Sequence, residues 1–327
     1  MSDPKKTTTL ITGIAGSLAR LVGRRLCDAG HDIVGVDYRP VTADPGFPAT
    51  LYRANYNKTR IEDIFRRHHP DLVLHLGRVG NLKMRTGKRF DLNVVGSSKV
   101  MSLCRKYQVK RLLVLSTFHI YGAHPHNHTP IYEDEPLRAG TGFPQLGDAI
   151  QLDNQAVMWV YRHPEVKTVV LRPCNVVGPQ IKNAISSFLR QEVKPLMMGF
   201  NPMVQFIHQD DLVAAILAAA DLDRADAVGV FNLAGKNTLP WREALELCGG
   251  TLVPVPADLA ALALKVLRIF TPALPPYMIN FTKYPCVISR QALSETFGWE
   301  PGVGDAEAIL STAGKLGSPL EGQVSSA

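Results

Sequence analysis

The sequence has few of the features that would assign it to a special class of protein. Its 327 residues include only 5 cysteines, which lack the close spacing of metal ligands. No apolar run is long enough to span a membrane, and residues 1–6 lack the apolar core of a secretory signal. We therefore expect a cytoplasmic protein with reduced thiols, without a metal site and without an integral membrane segment.

Basic residues outnumber acidic ones, but the excess positive charge is spread along the chain. There are 36 Lys and Arg residues against 29 Asp and Glu residues, a formal net charge of +7. One denser basic patch consists of Arg78, Lys83, Arg85, Lys88 and Arg89. No nucleic-acid motif accompanies it, so we predict a solvated surface or a site for a small anion, and no nucleic-acid partner.

The most informative segment lies near the beginning of the chain, where a β-prone run over residues 7–12 meets two glycines. Gly13 permits a tight turn, and Gly16 lets a pyrophosphate approach the backbone. The apolar positions that follow share one helical face, and a helix that begins near Ser17 points its unpaired N–H groups at the anion. This pattern predicts a phosphate-binding turn between a strand and a helix.

A second predicted strand, over residues 33–36, leads directly into Asp37. A carboxylate at that position can accept hydrogen bonds from the hydroxyls of an adenosine ribose, which favours NAD as the cofactor. Arg39 follows two residues later and could hold a 2′-phosphate, so NADP remains an alternative.

Strand and helix patterns alternate through the first half of the chain. Further strands are predicted at 50–54, 71–76, 111–117 and 167–171, and helices at 61–68, 92–107 and 148–161. This alternation predicts an α/β fold, with a Rossmann-type, doubly wound parallel sheet and a smaller C-terminal substrate lobe. We place the Rossmann domain at 7–178 and the mainly substrate-binding lobe at 179–327, with 203–235 returning to the Rossmann sheet.

Short motifs follow the glycine loop in a fixed order, at residues 75–77, 93, 116–122, 171–179, 206–211, 231–235 and 297–301. Together they resemble the extended short-chain dehydrogenase/reductases, the NAD-dependent epimerase/dehydratase family that includes UDP-glucose 4-epimerase. The resemblance covers roughly residues 8–301. Ala19 stands where the family has the third glycine of the loop.

The resemblance implies roles for individual residues. The Thr117 hydroxyl is expected to hydrogen-bond the reacting oxygen of the substrate, and Asn55 stands where the family usually has an acid that holds the adenosine half. The substrate is also expected to contact Arg78, His119 and Asn175. The residues expected to contact the cofactor are Gly13, Ala15, Gly16, Ser17, Leu18, Asp37, Tyr38, Arg39, Asn55, Tyr56, Leu76, Gly77, Asn93, Ser116 and Pro173.

The resemblance fails at the residues that normally transfer the proton. The family's spacing from Arg172 places Gln145 at the position of the catalytic tyrosine and Ala149 at that of the lysine four residues later. Asp153 matches the acid that usually follows the lysine, which supports this register. Neither glutamine nor alanine exchanges a proton near neutral pH.

Three explanations follow from this loss. A substitute acid or base could come from Asp148, Tyr121, Tyr132 or a histidine. Alternatively, the chain binds a nucleotide without turnover, or the register is wrong in a rearranged loop.

Two other segments attract attention. Four histidines follow the strand predicted to end at Thr117: His119, His124, His126 and His128. His119 is a candidate proton carrier. The other three are candidate metal ligands, but a solvent-exposed loop explains their presence better. The apolar run at 257–270 is expected to be a core or dimer helix rather than a lipid-binding one. Relatives commonly pair through helices that correspond to 92–107 and 148–161. The sequence leaves the oligomeric state open, with a homodimer as the candidate assembly.

The sequence thus supports an NAD(P)-binding oxidoreductase that acts by a modified mechanism on a small molecule, either a nucleotide-sugar or a related carbonyl or hydroxyl substrate. Two alternatives remain open. One is a non-catalytic NAD(P)-binding protein with a regulatory or redox-sensing role. The other is a dehydrogenase or isomerase of a sterol-like or lipid-like substrate.

Overall fold

A computed structural model describes residues 6–41, 44–224, 226–256, 275 and 277–315. Its strands are β1 Thr8–Thr12, β2 Asp32–Asp37, β3 Thr50–Arg53, β4 Leu72–His75, β5 Arg111–Leu115, β6 Lys167–Pro173, β7 Asn175–Val177, β8 Val193–Met197, β9 Met203–Val204, β10 Phe206–His208, β11 Gly229–Leu233, β12 Leu239–Pro240 and β13 Thr251–Val255. Its α-helices are Ser17–Asp28, Thr59–His68, Thr86–Phe90, Gly96–Lys106, Ala139–Gly142, Gly147–Arg162, Ala184–Leu189, Gln209–Ala220, Trp241–Cys248, Met278–Phe281, Gln291–Phe297 and Asp305–Thr312. Shorter helical segments are the π-helix Asp91–Val95 and the 3-10 turns Phe118–Tyr121 and Pro144–Leu146.

Seven strands form the main sheet in the order β11-β6-β5-β4-β1-β2-β3. The pairings of β2 with β1 and β3, and of β4 with β1 and β5, are all parallel, as is that of β5 with β6. In β4 the consecutive residues Leu72, Val73 and Leu74 are all 0% exposed, so both faces of this strand are covered. The predicted Rossmann-type parallel sheet is confirmed.

The direction of strand order reverses between β1 and β4. In an open parallel sheet, ligands bind beyond the carboxyl ends of the strands at such a reversal. The two segments that leave the sheet there are the turn after β1, which contains Gly13, and the segment after β4, which contains Gly77.

The described residues form two compact units, and the chain passes between them several times. The first contains the described residues up to Thr117, together with Gly147–Arg172 and Val213–Phe231. The second contains Phe118–Leu146, Pro173–Leu212 and the described residues from Asn232 onward. The predicted boundary between 178 and 179 differs from this division because Phe118–Leu146, which interrupts the predicted Rossmann segment, packs with later residues.

Of the strands within 203–235, which is expected to return to the main sheet, β11 is in the seven-stranded sheet. β9 pairs with β12 and β10 with β7, each in a separate two-stranded sheet. A third small sheet joins β13 to β8. Short apolar runs have the same appearance in a large sheet as in a small one, so their pattern does not reveal which partner they pair with.

Each unit has its own apolar core. The first is built on Leu10, Val73 and Leu112 of the sheet, and helical residues such as Phe65 and Leu152 pack against them. In the second, the rings of Phe188 and Trp241 stack with centroids 6.0 Å apart. Trp241 begins the helix Trp241–Cys248, whereas the predicted apolar helix at 257–270 lies outside the described residues.

None of the helices that the structure describes is both long and apolar enough to cross a membrane. The helix predicted over 92–107 is interrupted: π-helix Asp91–Val95 precedes the α-helical segment Gly96–Lys106. A Cβ atom at Gly96 would lie 3.0 Å from the Cβ atom of Tyr56, so this helix passes close to the segment after β3.

Candidate functional site

The turn after β1 brings the backbone of Gly13 against the segment after β4. Gly13 has a φ of +76°, and a Cβ atom there would lie 2.6 Å from the Cα atom of Gly77. Its N–H donates to the carbonyl of Val36 at 2.8 Å, and the N–H of Gly16 donates to the carbonyl of Gly13 at 2.8 Å. Glycine is therefore required at 13 both by the backbone conformation and by the close approach of the two segments.

The helix Ser17–Asp28 begins at the end of this turn, and no side chain caps it. Gly16 is its N-cap residue, and the first turn, with Ser17 and Leu18, contains no acidic residue. The N–H groups at the start of a helix lack partners within the helix and carry partial positive charge. This helix end fits an anionic group such as a pyrophosphate.

Asp37 lies at the end of β2, is 0% exposed, and has a full set of hydrogen-bond donors. Its Oδ1 accepts from the backbone N–H of Arg39 at 2.9 Å and from the Nε of Arg39 at 3.0 Å. Its Oδ2 accepts from the Nη2 of Arg39 at 2.9 Å and from the N–H of Ala15 at 3.1 Å. A carboxylate offers about four acceptor positions, so ribose hydroxyls reach Asp37 only where the Arg39 side chain moves aside.

Two residues after β3 behave differently from each other. The Oδ1 atom of Asn55 is buried without a hydrogen-bond partner, which fits a donor supplied by a ligand. Tyr56 is 1% exposed, and its hydroxyl accepts from the N–H of Gly13 at 3.0 Å. Burial raises the pKa of Tyr56, so the phenol stays protonated. The structure places Tyr56 as a support for the glycine turn.

His75 links β1, β4 and the helix after the π-helix through a directed chain of hydrogen bonds. Ser97 Oγ donates to the carbonyl of Asn93 at 2.5 Å, and it therefore accepts from His75 Nε2 at 2.7 Å. His75 Nδ1 then accepts from Thr12 Oγ1 at 2.8 Å, which itself accepts from the N–H of Gly77 at 3.2 Å. Burial lowers the pKa of His75 to about 4, and the neutral ring fits this chain.

Asn93 holds the segment after β4 in place. Its Oδ1 accepts from the N–H of Val79 at 2.7 Å, and its Nδ2 donates to the carbonyl of Val79 at 2.9 Å and to Asp148 Oδ2 at 2.5 Å. Arg89 Nε donates to the same Asp148 oxygen at 2.9 Å, and both charged side chains are 5% exposed. Arg89 thus belongs to a buried ion pair, although it was predicted to be part of a basic patch on a solvated surface or at a site for a small anion. Three other members of that patch, Lys83, Arg85 and Lys88, are exposed.

A second buried ion pair ties the helix Gly147–Arg162 to β6. Arg172 donates to Asp153 through Nη2 at 2.7 Å and through Nε at 3.1 Å. Ser116 Oγ donates to Asp153 Oδ1 at 2.5 Å. Arg172 therefore has a structural role, and the Ser116 hydroxyl serves the same network.

The model of the NAD dependent epimerase/dehydratase family matches residues 9–234, more than half of the chain. The chain belongs to this family. Among curated relatives, the uncharacterized protein Rv0501 of Mycobacterium tuberculosis is 27% identical over 64% of this chain and 55% of its own length. The "Probable UDP-glucuronate 4-epimerase" of Rhizobium meliloti is 28% identical over 52% of this chain and 53% of its own length. The chain thus spans about half the length of these relatives.

Solved structures of the family share the fold. The NAD complex of UDP-glucose 4-epimerase from Thermus thermophilus superposes with a TM-score of 0.72 at 21% identity, over 94% of this chain and 98% of that one. A likeness at this identity establishes the fold alone.

The two positions counted as the family's Tyr and Lys lie in different elements. Gln145 is in the 3-10 turn Pro144–Leu146, and Ala149 is in the first turn of the helix Gly147–Arg162. Ala149 is 1% exposed. It precedes Asp153 by one helical turn, so the two side chains share a face of the helix.

The candidate replacements for the proton-transfer groups have definite positions. Asp148 is committed to Arg89 and Asn93, as described above. The hydroxyl of Tyr121, which is 1% exposed, donates to Asn232 Oδ1 at 2.8 Å, while Tyr132 is 45% exposed. Thr117 follows β5 and is 5% exposed.

The histidines divide into one packed ring and three exposed ones. The ring of His119 lies 5.4 Å from that of Tyr277 and 5.0 Å from that of Phe281. His124, His126 and His128 are exposed, and His128 Nδ1 lies 2.8 Å from Glu135 Oε1. Within the described ranges, no group of three or more His, Cys, Asp or Glu side chains is placed to hold a metal ion.

The remaining predicted contact residues fall in both units. Tyr38 lies in the first, with its ring centroid 5.7 Å from the guanidinium of Arg39. Leu76 and Arg78, on either side of Gly77, are half-buried. In the second unit, Pro173 ends β6, and Asn175 donates through Nδ2 to the carbonyl of Gln205 at 3.0 Å.

Sequence reasoning missed the supporting residues. His75 stood out only as part of a motif, although a histidine within the apolar strand Leu72–His75 signals a buried hydrogen-bonded ring. The bond from His75 to Ser97 and the burial of Arg89 against Asp148 had no sequence signal, because in each case the two residues are distant in the chain.

Proposed function

We propose that this family member binds NAD at the turn after β1 and exchanges a hydride with a hydroxyl or carbonyl carbon of a small-molecule substrate. The observation that carries the proposal is the turn itself, in which Gly13 touches the segment after β4 and an uncapped helix begins at Ser17. The buried Asn55 Oδ1, which lacks a partner, supports it.

The residues present fit the cofactor in a defined way. The backbone of Gly16 and the first turn of the helix would hold the pyrophosphate, and Asn55 would accept a hydrogen bond from the adenosine half. Asp37 would bind the ribose hydroxyls after the Arg39 side chain leaves it. The nicotinamide ring supplies the hydride acceptor or donor when it is bound.

Proton transfer is the step for which the chain lacks the usual groups. The Thr117 hydroxyl can donate a hydrogen bond to the reacting oxygen and orient it, but a hydroxyl of ordinary pKa is a weak base near neutral pH. Positioned acid/base catalysis contributes roughly 10²–10⁴-fold to a rate, so slow turnover is expected unless another group supplies it. Nucleotide-sugars remain the first substrate class to test, because the Rhizobium and Thermus proteins carry names of nucleotide-sugar epimerases.

The second candidate function is nucleotide binding without turnover. It is favoured by Gln145 and Ala149, since an amide and a methyl group can neither exchange a proton nor lower the pKa of a neighbouring acid.

Calorimetric titration with NAD and NADP tests the binding step, and reduced-nicotinamide absorbance with UDP-glucose and UDP-glucuronate tests turnover. Saturable NAD binding with slow, Thr117-dependent hydride transfer supports the enzyme. Binding without transfer favours the second candidate, and no binding of either nucleotide refutes both. The double variant Gln145→Tyr with Ala149→Lys restores the family's proton-transfer pair. It is expected to raise the rate of hydride transfer if these two positions are the family's Tyr and Lys positions and if the chain has a substrate site.

A homodimer is part of the proposal. Two helical segments of the first unit expose large apolar side chains: Phe90 at 43%, Met158 at 47% and Tyr161 at 78%. Met158 and Tyr161 are three residues apart on one helix and so share a face. A second copy of the chain that packs there would remove this apolar surface from water.

A further inference from the structure

One buried side chain lies against both segments that leave the sheet at the reversal of strand order. Tyr56 follows β3 and is 1% exposed, and its hydroxyl accepts from the N–H of Gly13 at 3.0 Å. A Cβ atom at Gly77 would lie 2.5 Å from the same hydroxyl oxygen. The phenol therefore fills the space beside Gly77 while its oxygen binds the turn after β1.

The hydrogen bond from Gly13 to Tyr56 is not needed to satisfy a buried donor. The N–H of Gly13 also donates to the carbonyl of Val36 at 2.8 Å. What the second acceptor adds is a fixed position for the turn. The carbonyl of Gly13 accepts from the N–H of Gly16 at 2.8 Å, and Gly16 is the N-cap residue of the helix that begins at Ser17. The position of Gly13 thus sets that of the helix end.

Gly77 is enclosed on three sides. A Cβ atom at Gly13 would lie 2.6 Å from the Cα atom of Gly77, whose N–H donates to Thr12 Oγ1 at 3.2 Å. The hydroxyl of Tyr56 closes the third side. Removal of that oxygen would leave space into which the two segments can shift relative to each other.

The ring of Tyr56 is itself held in place. It meets the ring of His75 edge to face, with the two centroids 5.8 Å apart. A Cβ atom at Gly96 would lie 3.0 Å from the Cβ atom of Tyr56. His75 is in turn bonded to Thr12 and Ser97. The hydroxyl is therefore a fixed point against which the turn can be positioned.

We propose that Tyr56 is a positioning residue for the diphosphate of the bound cofactor. Its hydroxyl holds the turn after β1 against Gly77, so that the unpaired N–H groups at the start of the helix point at the anion before it binds. A turn that is ordered in advance binds more tightly, because less conformational entropy is lost on binding. The inference rests on the proposed function, since it takes this turn as the diphosphate site. Tyr56 acts through the turn and does not need to touch the ligand.

The test compares two ligands that differ in the diphosphate. ADP contains adenosine and the diphosphate, whereas adenosine contains no phosphate. Ligand-observed NMR titration of the whole chain gives the affinity of each. Tyr56→Phe keeps the ring on His75 and removes only the hydroxyl. It is expected to weaken ADP about fivefold, the effect of one neutral hydrogen bond, and to leave adenosine within twofold of wild type.

Tyr52→Phe is the matched control. It makes the same exchange on β3, in the same unit, and removes a hydroxyl that lies 2.8 Å from His68 Nε2. Both affinities should stay within twofold of wild type. The melting temperature of each variant is recorded as well, because a purely structural role for Tyr56 would lower it without changing the ratio of the two affinities.

Gly77→Ala approaches the same contact from the other side. Its Cβ atom would lie 2.5 Å from the Tyr56 oxygen, so the phenol must shift, and ADP is expected to bind at least fivefold more weakly. In the double variant with Tyr56→Phe that oxygen is absent. The double variant is therefore expected to bind ADP no more weakly than Gly77→Ala alone. Gly80→Ala is the control, since a Cβ atom there would meet no atom of the described residues within 4 Å.

The proposal is overturned if Tyr56→Phe leaves the affinity for ADP within twofold of wild type, if it weakens ADP and adenosine by the same factor, or if the free-energy effects of Tyr56→Phe and Gly77→Ala add. Wild-type protein is also titrated with NAD. If it binds neither NAD nor ADP, the proposed function fails and this inference fails with it. If it binds both and one of the three results above is obtained, the role of Tyr56 alone is refuted.

Discussion

The ion pair between Asp37 and Arg39 makes cofactor choice testable by one substitution. In Arg39→Ala the carboxylate keeps two backbone donors, the N–H of residue 39 and that of Ala15, and loses both guanidinium contacts. Two acceptor positions then become available to the two adenosine ribose hydroxyls of NAD. We expect the affinity for NAD to rise by up to about tenfold, because hydrogen bonds to a charged acceptor are worth about 1.5–3 kcal/mol before the cost of ordering.

NADP should respond in the opposite direction. With Arg39 removed, a 2′-phosphate about 5 Å from the bare carboxylate of Asp37 would be repelled by about 3 kcal/mol per unit charge at an effective dielectric constant of about 20. Arg39 is 46% exposed, so solvent and salt reduce this to about 1–2 kcal/mol, or roughly tenfold in affinity. The ratio of the two dissociation constants, NADP over NAD, should therefore rise about 100-fold.

Isothermal titration calorimetry with both nucleotides, at low and at physiological salt, measures this ratio. Arg60→Ala is the control, because it removes the same charge from an exposed position of another helix. A ratio that stays within threefold of wild type, or one that falls, would refute the view that Arg39 neutralises Asp37 at the adenosine site. A ratio shift of equal size in Arg60→Ala would show that net charge alone is responsible.

Three further predictions concern the fold and assembly. Gly13→Ala should lower the melting temperature more than Gly30→Ala in differential scanning calorimetry, since both positions have positive φ, at +76° and +87°, but only the Cβ at 13 meets neighbouring atoms; equal losses would contradict the close approach. Burial lowers the pKa of His75 to about 4, so as the pH falls this histidine is protonated in the unfolded chain before it is protonated in the folded one. The free energy of unfolding should therefore fall by about 3 kcal/mol between about pH 6.5 and pH 4. His75→Gln should lack this component in urea titrations, and an unchanged pH profile would refute it. Tyr161→Glu should convert a dimer into a monomer in light scattering, whereas Val253→Glu, at a position 41% exposed in the second unit, should not; a dimer that survives Tyr161→Glu excludes this interface.

The parts of the site that could be predicted are those set by local geometry. Gly13 and Gly16 act within one turn, and Asp37 was placed by the end of a β-prone run. Each of these inferences needs only the residues next to it in the chain, where the period of a strand or the start of a helix fixes the direction of a group. For that reason the turn and the first strands agree closely with the structure.

The partners of the polar side chains could not be predicted in the same way. Asp148 lies 59 residues from Arg89 and 55 from Asn93, and His75 lies 63 residues from Thr12. Which of many polar groups meet depends on how helices pack on the sheet, and sequence periodicity contains no information on that pairing. The same limit explains the domain boundary, because Phe118–Leu146 interrupts the predicted Rossmann segment yet packs in the other unit.

Buried polar groups in this protein point to two different causes. The carboxylates of the pairs Arg89–Asp148 and Arg172–Asp153 are hydrogen-bonded to their arginines and to Asn93 or Ser116, so folding alone is enough to explain both pairs. Their presence is therefore no argument for turnover.

Asn55 Oδ1 and Trp241 Nε1 are different, because each is buried and lacks a partner. An unsatisfied buried polar atom destabilises the fold, and removal of the atom would relieve the cost. Asn55 stands beside the turn expected to bind a dinucleotide, whereas Trp241 is part of the apolar core of the second unit. A ligand that donates a hydrogen bond to Asn55 Oδ1 would account for that atom, and NAD binding by an Asn55→Ala variant tests it.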